Sequence, residues 1–399
     1  MVSISHRIAE ITESQTLAMT KLSRELKSQG VDVINLSIGE PDFDTPINIC
    51  EAATKAMKDG FTHYPPVAGF PELRTAIAQK LQRENKLAYK AESILVSNGA
   101  KHSILNVILS IINPGDEVLI PAPFWVSYPS IVEYAGGIPV IIESGPEQDF
   151  KVTADQLKSC ITDKTKAILF SSPCNPSGSV LNYTELLDWV YVLKEFPDVT
   201  IISDEIYEKI NYNGAHVSIA SFPEVFDRTV VVNGMSKGYA MTGWRMGYVA
   251  GPLEIVKACE KIQGLMTSGA NSVAQIASIE ALNGPQDSVK AMANTFKQRR
   301  DLFHSLLTKI PGISCNLPAG AFYLLPDVSR LFGKRTLDGE IISNAEDLCM
   351  YLLMQGYVST VSGAAFGIPN CIRLSYATSE ENLKLAADRI SMAISKLID

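Results

Sequence analysis

Lys237 stands in the stretch Asn233-Gly234-Met235-Ser236-Lys237-Gly238-Tyr239-Ala240-Met241-Thr242-Gly243-Trp244-Arg245-Met246-Gly247, among small and apolar neighbours. A lysine desolvated by such neighbours has a lowered pKa and becomes a nucleophilic amine. The alternative is an ordinary exposed loop lysine. Arg245 suits a phosphate through charge-assisted hydrogen bonds, or else lies on the surface. A second stretch, Ser203-Asp204-Glu205-Ile206-Tyr207, directly follows an apolar run. An aspartate at the end of a buried strand is costly to leave unpaired, so Asp204 asks for a cation unless it caps the next helix. The third stretch is Ser97-Asn98-Gly99-Ala100-Lys101-His102. Small residues there let backbone N–H groups reach an anion at a helix N-terminus, although a plain strand-to-helix turn reads the same way. The loop is neither a Walker A motif nor a dinucleotide fingerprint.

Gly234-Met235-Ser236-Lys237-Gly238 also fits the G-x-S-x-G pattern of a serine hydrolase. That reading needs an acid and then a histidine downstream. His304 is the one histidine after Ser236, and Asp287 and Asp301 belong to the same helical stretch. No HGGG-type oxyanion segment accompanies them. The five histidines form no His-x-x-x-His pair and the seven cysteines no Cys-x-x-Cys pair, so no metal site is expected. The scattered cysteines read as reduced thiols, most of them core filler in a cytoplasmic protein. The N-terminal residues carry no signal-peptide core.

These residues need a scaffold, and the hydrophobic pattern supplies one. Short apolar runs at 94–97, 117–121, 139–142, 167–171, 200–203, 229–233 and 246–250 alternate with helical stretches at 101–111, 126–135, 154–161 and 183–196. Such alternation predicts an α/β fold with a mostly parallel sheet, its strands covered on both faces. Ligands then bind outside the carboxyl ends of the strands, which is where the three stretches lie. An amphipathic helix is predicted over 71–85, with Leu73, Ile77 and Leu81 on one face. A long charged helix over 288–307 reads as a connector between domains. Further apolar segments at 321–325 and 372–376 flank a helical stretch at 345–354. The last helix starts at Thr378, where Thr378 and Glu381 have capping-box spacing. The expected division is a large domain, 48–290, and a smaller, discontinuous α+β domain of 1–47 with 291–399.

Composition bounds the function. Hydrophobic residues make up 46% of the chain and charged residues 20%, which excludes a disordered protein. Thirty-five Lys and Arg against 43 Asp and Glu give a net charge of −8, which argues against a nucleic-acid partner. No apolar run approaches the roughly 18 residues of a membrane span, so no membrane partner is expected either.

Taken together, the motifs resemble the fold type I aminotransferases, and within them the aspartate aminotransferase class I family. The likeness runs from Gly39-Glu40-Pro41-Asp42-Phe43 through Pro121-Ala122-Pro123-Phe124-Trp125, Ser172-Pro173-Cys174-Asn175-Pro176-Ser177-Gly178, Ser203–Tyr207 and 236–247 to Ile372-Arg373-Leu374-Ser375-Tyr376. It covers nearly the whole chain in order. It implies a large domain with a mostly parallel seven-stranded sheet flanked by helices, a smaller domain, and pyridoxal 5'-phosphate as cofactor. By resemblance, Lys237 carries the cofactor as a Schiff base and then moves the proton at the substrate α-carbon. Asp204 pairs with the pyridine nitrogen, which makes the ring an electron sink. Asn175 and Tyr207 bind the phenolic oxygen and Trp125 stacks on the ring. Gly99, Ala100 and Lys101, with Ser236 and Arg245, line the phosphate site, and Tyr64 reaches the phosphate of the neighbouring subunit in a homodimer. Arg373 clamps the substrate α-carboxylate and Gly39 admits the substrate; Trp125 and Asn175 border it too. Cys174 and Ser177 depart from the family loop, which has asparagine and threonine there.

The same resemblance implies a ping-pong aminotransferase of amino-acid metabolism and biosynthesis, acting on small-molecule amino and 2-oxo acids. Thr16, Lys101, Ser-Asn-Gly-Ala-Lys and Trp-Val-Ser-Tyr-Pro are similar to the aspartate/prephenate aminotransferase subgroup, in which the first two are associated with dicarboxylic substrates. Aspartate with 2-oxoglutarate is therefore expected, with prephenate as a further acceptor. Aromatic or alanine aminotransferases, a pyridoxal phosphate lyase, and a cofactor-binding regulatory module are the other readings on this scaffold.

Overall fold

The computed structural model describes residues 15–399, with side chains from residue 19 onward. Strand β1 is Ile34–Asn35 and β2 is Ile94–Asn98. Glu117–Pro121, Ile138–Ile142, Thr165–Ser171, Thr200–Asp204, Thr229–Gly234 and Met246–Ala250 are β3 to β8 in turn. β9 is Tyr323–Leu324, β10 Val358–Ser359, β11 Val361–Ser362 and β12 Ile372–Ser375.

β2 to β8 form one seven-stranded sheet in the order β2-β8-β7-β6-β5-β3-β4. β8 runs antiparallel to both of its neighbours, and the other adjacent strands pair in parallel. Val230, Val231, Val232, Ile201, Ile202, Ile168 and Leu169 are wholly buried, as helices covering both faces require. β4 departs from the expectation of full cover: Ile138 is 47% exposed because this strand is the sheet's open edge. The register aligns the carboxyl ends. Ser171 pairs with Asp204 and Asp204 with Val232. Gly234 pairs with Gly247, and Asn98 with Met246. The chain therefore leaves β2, β5, β6 and β7 at the same edge where it enters β8.

The long helix Asp287–Leu307 joins two apolar cores. Val289 and Met292 pack in the cluster of Leu73, Ile77 and Tyr248. Phe296, Phe303 and Leu307 pack in a second cluster with Leu324, Leu348, Leu352, Val358, Leu374, Leu383 and Ile390. Around this second core, β1 pairs in parallel with β10, and β11-β12-β9 form an antiparallel sheet. Residues near position 35 thus fold onto the C-terminal quarter.

Two local expectations are corrected. The helix Pro71–Lys80 keeps Leu73 and Ile77 buried, but its continuation over Leu81–Asn85 widens into a π turn. The C-terminal helix, Glu380–Ser395, is capped by Ser379 and not Thr378: Ser379 Oγ accepts from the Asn382 N–H, while Thr378 Oγ1 takes a bond from the Asn382 side chain.

This helix offers an internal control for the packing account. Leu383 is fully buried and Leu385, on the same helix, is 41% exposed. Leu383→Ala should cost about 2–5 kcal/mol in urea unfolding. Leu385→Ala should stay within about 1 kcal/mol of the parent. Equal losses at the two positions would contradict the placement of the second core.

Candidate active site

At the aligned strand ends a cavity of about 330 Å³ opens between the large sheet and the second core. Gly39, Ala100, Lys101, Trp125, Asn175, Asp204, Tyr207, Ser236, Lys237, Arg245 and Arg373 all border it. Segments as far apart as Gly39 and Arg373 meet because β1 and β12 belong to the second core.

One wall is built for an anion. The helix Ala100–Ile111 opens without any side-chain cap; the His102 and Ser103 N–H groups donate to Gly99 O, and those of Ala100 and Lys101 stand at its open end. The partial positive charge of that terminus adds to the cations of Lys101 and Arg245. Gly99 turns the chain there with φ +82°, and a Cβ at this position would come within 2.5 Å of Arg245 Nη2. Arg245 itself holds a left-handed φ of 57°, a strained conformation for a residue with a Cβ. Its guanidinium donates to Thr242 O at 2.9 Å. Lys101 Nζ lies 4.7 Å from the centre of the Trp125 ring. Burial, and next the Arg245 charge, lower the pKa of that amine.

The floor carries the buried carboxylate. Asp204, the last residue of β6, is 4% exposed. Its Oδ2 accepts from the Tyr128 hydroxyl at 2.8 Å and its Oδ1 from the Ile206 N–H at 3.2 Å. Among the described residues no cation forms an ion pair with it. Burial pushes its carboxyl up to about 6 against the pull of the Tyr128 hydrogen bond. Tyr207 shares a 2.8 Å hydrogen bond with Tyr323, hydroxyl to hydroxyl.

Lys237 Nζ donates to Gly39 O at 2.5 Å. Burial lowers the lysine to about 8; Arg245 and Arg373 push the same way, while Glu40 and Asp204 oppose them. The expectation of a desolvated amine thus matches the surroundings of Lys237. Gly39 has a steric role as well, since a Cβ there would sit 2.6 Å from the Tyr323 hydroxyl oxygen.

Arg373 comes from β12 and is 2% exposed. Nη1 donates to Asn175 Oδ1 at 2.9 Å and Nη2 to Ser37 O at 2.6 Å. The guanidinium lies over the rings of Tyr323 and Phe366, 4.7 and 4.8 Å from their centres. Its Nε is buried and has no protein acceptor. An unsatisfied buried donor of this kind suits a carboxylate from outside the chain.

Not every expected residue joins the cavity. Tyr64 is 96% exposed and takes no part in the wall. The Thr16 side chain lies outside the described residues. Gly99 stands behind Arg245 and does not face the cavity. In return, two tyrosines escaped the sequence reading. Tyr128 falls one helical turn beyond Trp125, a spacing that could have flagged it. Tyr323 sits in an apolar segment that reads as plain strand, with no local signal. The hydrolase reading loses its histidine: His304 Nε2 bonds to Cys315 O at 3.0 Å and does not border the cavity that Ser236 lines.

Comparisons with known proteins identify the family. Residues 31–390 match the family model for aminotransferases of class I and II. The chain is 46% identical to an aspartate aminotransferase of Bacillus sp. strain YM-2, over 97% of this chain and 98% of the other. It is 44% identical to an aspartate/prephenate aminotransferase of Cereibacter sphaeroides, over 98% of both. The crystal structure of the aspartate aminotransferase from Rhizobium meliloti superposes with a TM-score of 0.97 at 42% identity, covering 100% of both chains. This chain belongs to the pyridoxal phosphate-dependent aminotransferases of class I and II.

Proposed function

We propose that this aminotransferase moves the amino group of L-aspartate to 2-oxoglutarate, with Lys237 as its catalytic residue. One observation carries the reading: Lys101, Lys237, Arg245 and Arg373 converge on a single cavity whose floor is a buried, unpaired carboxylate. The residues present fit pyridoxal phosphate. The uncapped helix terminus beside Arg245 suits its phosphate, and Asp204 suits a cationic ring nitrogen. Ala100, Lys101, Ser236 and Arg245 would hold the phosphate, with Gly99 turning the chain behind Arg245, Asn175 and Tyr207 the phenolic oxygen, and Trp125 the ring face. When bound, the cofactor supplies an electron sink for charge developing at the substrate α-carbon.

The chain's own groups do the rest. Arg373 would grip the α-carboxylate with its free Nε edge, while Asn175 and the Ser37 carbonyl fix its plane. Arginine's rigid fork suits this task better than lysine. Tyr323, under the guanidinium and against Gly39, would set the width of the substrate slot. Lys237, half neutral at about pH 8 and mostly neutral above it, would take the proton from the α-carbon and return it to the other side of the transfer. Lys101 would meet the distal carboxylate of a dicarboxylic substrate, and prephenate is the further acceptor. The names of the relatives support this choice.

The same reading includes a homodimer. Tyr64 projects almost fully into solvent, as a residue completing a neighbouring subunit's phosphate site would. It includes the division into 48–290 and 1–47 with 291–399, supported by the two cores bridged by Asp287–Leu307. It also places the enzyme in the cytoplasm, in amino-acid biosynthesis. All seven cysteines are unpaired, and among the described residues no helix is long and apolar enough to cross a membrane.

Three measurements test the proposal. The enzyme loaded with pyridoxal phosphate should absorb in the visible, and Lys237→Ala should lose that band together with amino transfer from aspartate to 2-oxoglutarate. A band that survives unchanged would exclude Lys237 as the attachment point. The rate at which cofactor-free enzyme captures pyridoxal phosphate should rise with pH and level off above about 8. The sign follows from a lowered amine pKa: the neutral, nucleophilic form is already dominant above that value. A rate still climbing at pH 10 would mean an unperturbed lysine. Lys101→Gln should lower kcat/KM for aspartate by the equivalent of about 1–3 kcal/mol and leave alanine much less affected. Equal losses would remove Lys101 from substrate recognition.

A further inference from the structure

Directly behind Asp204 lies a second carboxylate that the chemistry above does not use. Glu205 is completely buried and does not border the cavity. Successive strand residues point to opposite faces, so Asp204 faces the cofactor site and Glu205 the protein interior. The Glu205 N–H donates to Val232 O at 2.8 Å, which fixes the backbone between the two acids. Glu205 Oε1 accepts from Ser203 Oγ at 3.0 Å and Ser218 Oγ at 2.6 Å. Glu205 Oε2 lies 3.0 Å from His216 Nε2 in a charge contact without hydrogen-bond alignment, both His216 ring nitrogens are buried with no hydrogen-bond partner, and the His216 side chain is only 5% exposed.

Two adjacent buried carboxylates cannot both ionise cheaply. We infer that His216, as the cation paired with Glu205, is a positioning residue for Asp204: it cancels the glutamate charge and so leaves Asp204 anionic toward the cofactor ring nitrogen. The inference rests on the aminotransferase reading of the site and deepens it.

The neighbouring groups leave this task to His216. Glu208, on the segment after β6, is engaged by Lys80 of the helix Pro71–Lys80, whose ammonium also donates to Asn85. Burial is outweighed by Lys80 first, then His216 and Lys209, which hold Glu208 down at about 2, so Lys80 is the main partner of Glu208 and His216 faces both glutamates. Tyr248 of β8 and Tyr89, whose hydroxyl donates to Thr229 O, face the same region and remain neutral because burial raises both phenols. Asp227 acts on Tyr89 from the far side. For His216, burial and, less strongly, the Lys80 charge oppose protonation, but Glu205 and then Glu208 outweigh them and raise its pKa. The charge of Glu205 in turn raises Asp204.

The test compares His216→Gln, Glu205→Gln and the double variant as full-length holoenzymes. The readouts are the dissociation constant for pyridoxal phosphate and the pH titration of the visible band, with thermal melts of the cofactor-free proteins as a folding control. His216→Gln should weaken cofactor binding about tenfold, because the unmatched Glu205 charge disfavours the anionic form of Asp204. Adding Glu205→Gln should recover most of that loss, because it removes the unmatched charge. Glu205→Gln alone should retain the cofactor, and it decides the matter if His216→Gln does not fold. The inference is overturned if His216→Gln binds like the parent, if the double variant is no better than His216→Gln, or if Glu205→Gln alone loses affinity tenfold. Failure of the parent enzyme to gain a visible band with pyridoxal phosphate would instead overturn the reading of the site.

Discussion

The carboxylate of Asp204 sits at the end of a central strand with 4% of its surface exposed and only neutral donors as partners. Keeping it ionised there costs on the order of 3 kcal/mol, from a carboxyl raised from 3.8 to about 6. That cost organises the site. A cationic ring nitrogen placed against Asp204 recovers it, and the surrounding groups then follow from what must accompany such a ring. On the proposed reading the anion wall would hold the phosphate, Lys237 would carry the cofactor, and Arg373 would receive a substrate carboxylate.

The fold meets this demand through strand register. Because β2, β5, β6 and β7 end at one edge where β8 begins, four loops far apart in the sequence share one rim. A one-residue slip in β6 would turn Asp204 away from the cavity and Glu205 into it. The paired fully buried valines and isoleucines of β5, β6 and β7 guard against that slip. The second core contributes Arg373, Tyr323 and the Gly39 loop. Its link to the sheet runs through Asp287–Leu307, where Arg299 pairs with Asp42 at 2.7 Å and Phe296 packs edge-on against Phe43. Arg373, Tyr323 and Gly39 are thereby tied to a different core from the strand ends that carry Asp204 and Lys237.

Much of this was legible before any coordinates. The strands 117–121 and 246–250 match the observed spans residue for residue, since short apolar runs between Gly and Pro leave little choice. Lys237, Asp204 and Arg245 stood out because a charge amid small or apolar residues is unusual in one dimension as well as in three. Tyr323 did not, because its significance comes from Tyr207 and Arg373, which lie 116 and 50 positions away in the chain. The cap of the last helix was misplaced by one residue because Thr378 and Ser379 offer similar hydroxyls, and only backbone geometry selects between them.

The sequence by itself determined the alternation of strands and helices through its local pattern, and the family and cofactor class through the resemblance of its ordered motifs. Tertiary structure decided what depends on distance and dielectric. It made Asp204 an unpaired buried acid, lowered Lys237 to about 8, left Arg373 Nε free, and set His216 behind Glu205. Charge is written in the chain, but its free energy is fixed only when packing settles how much water remains and which other charges stand near.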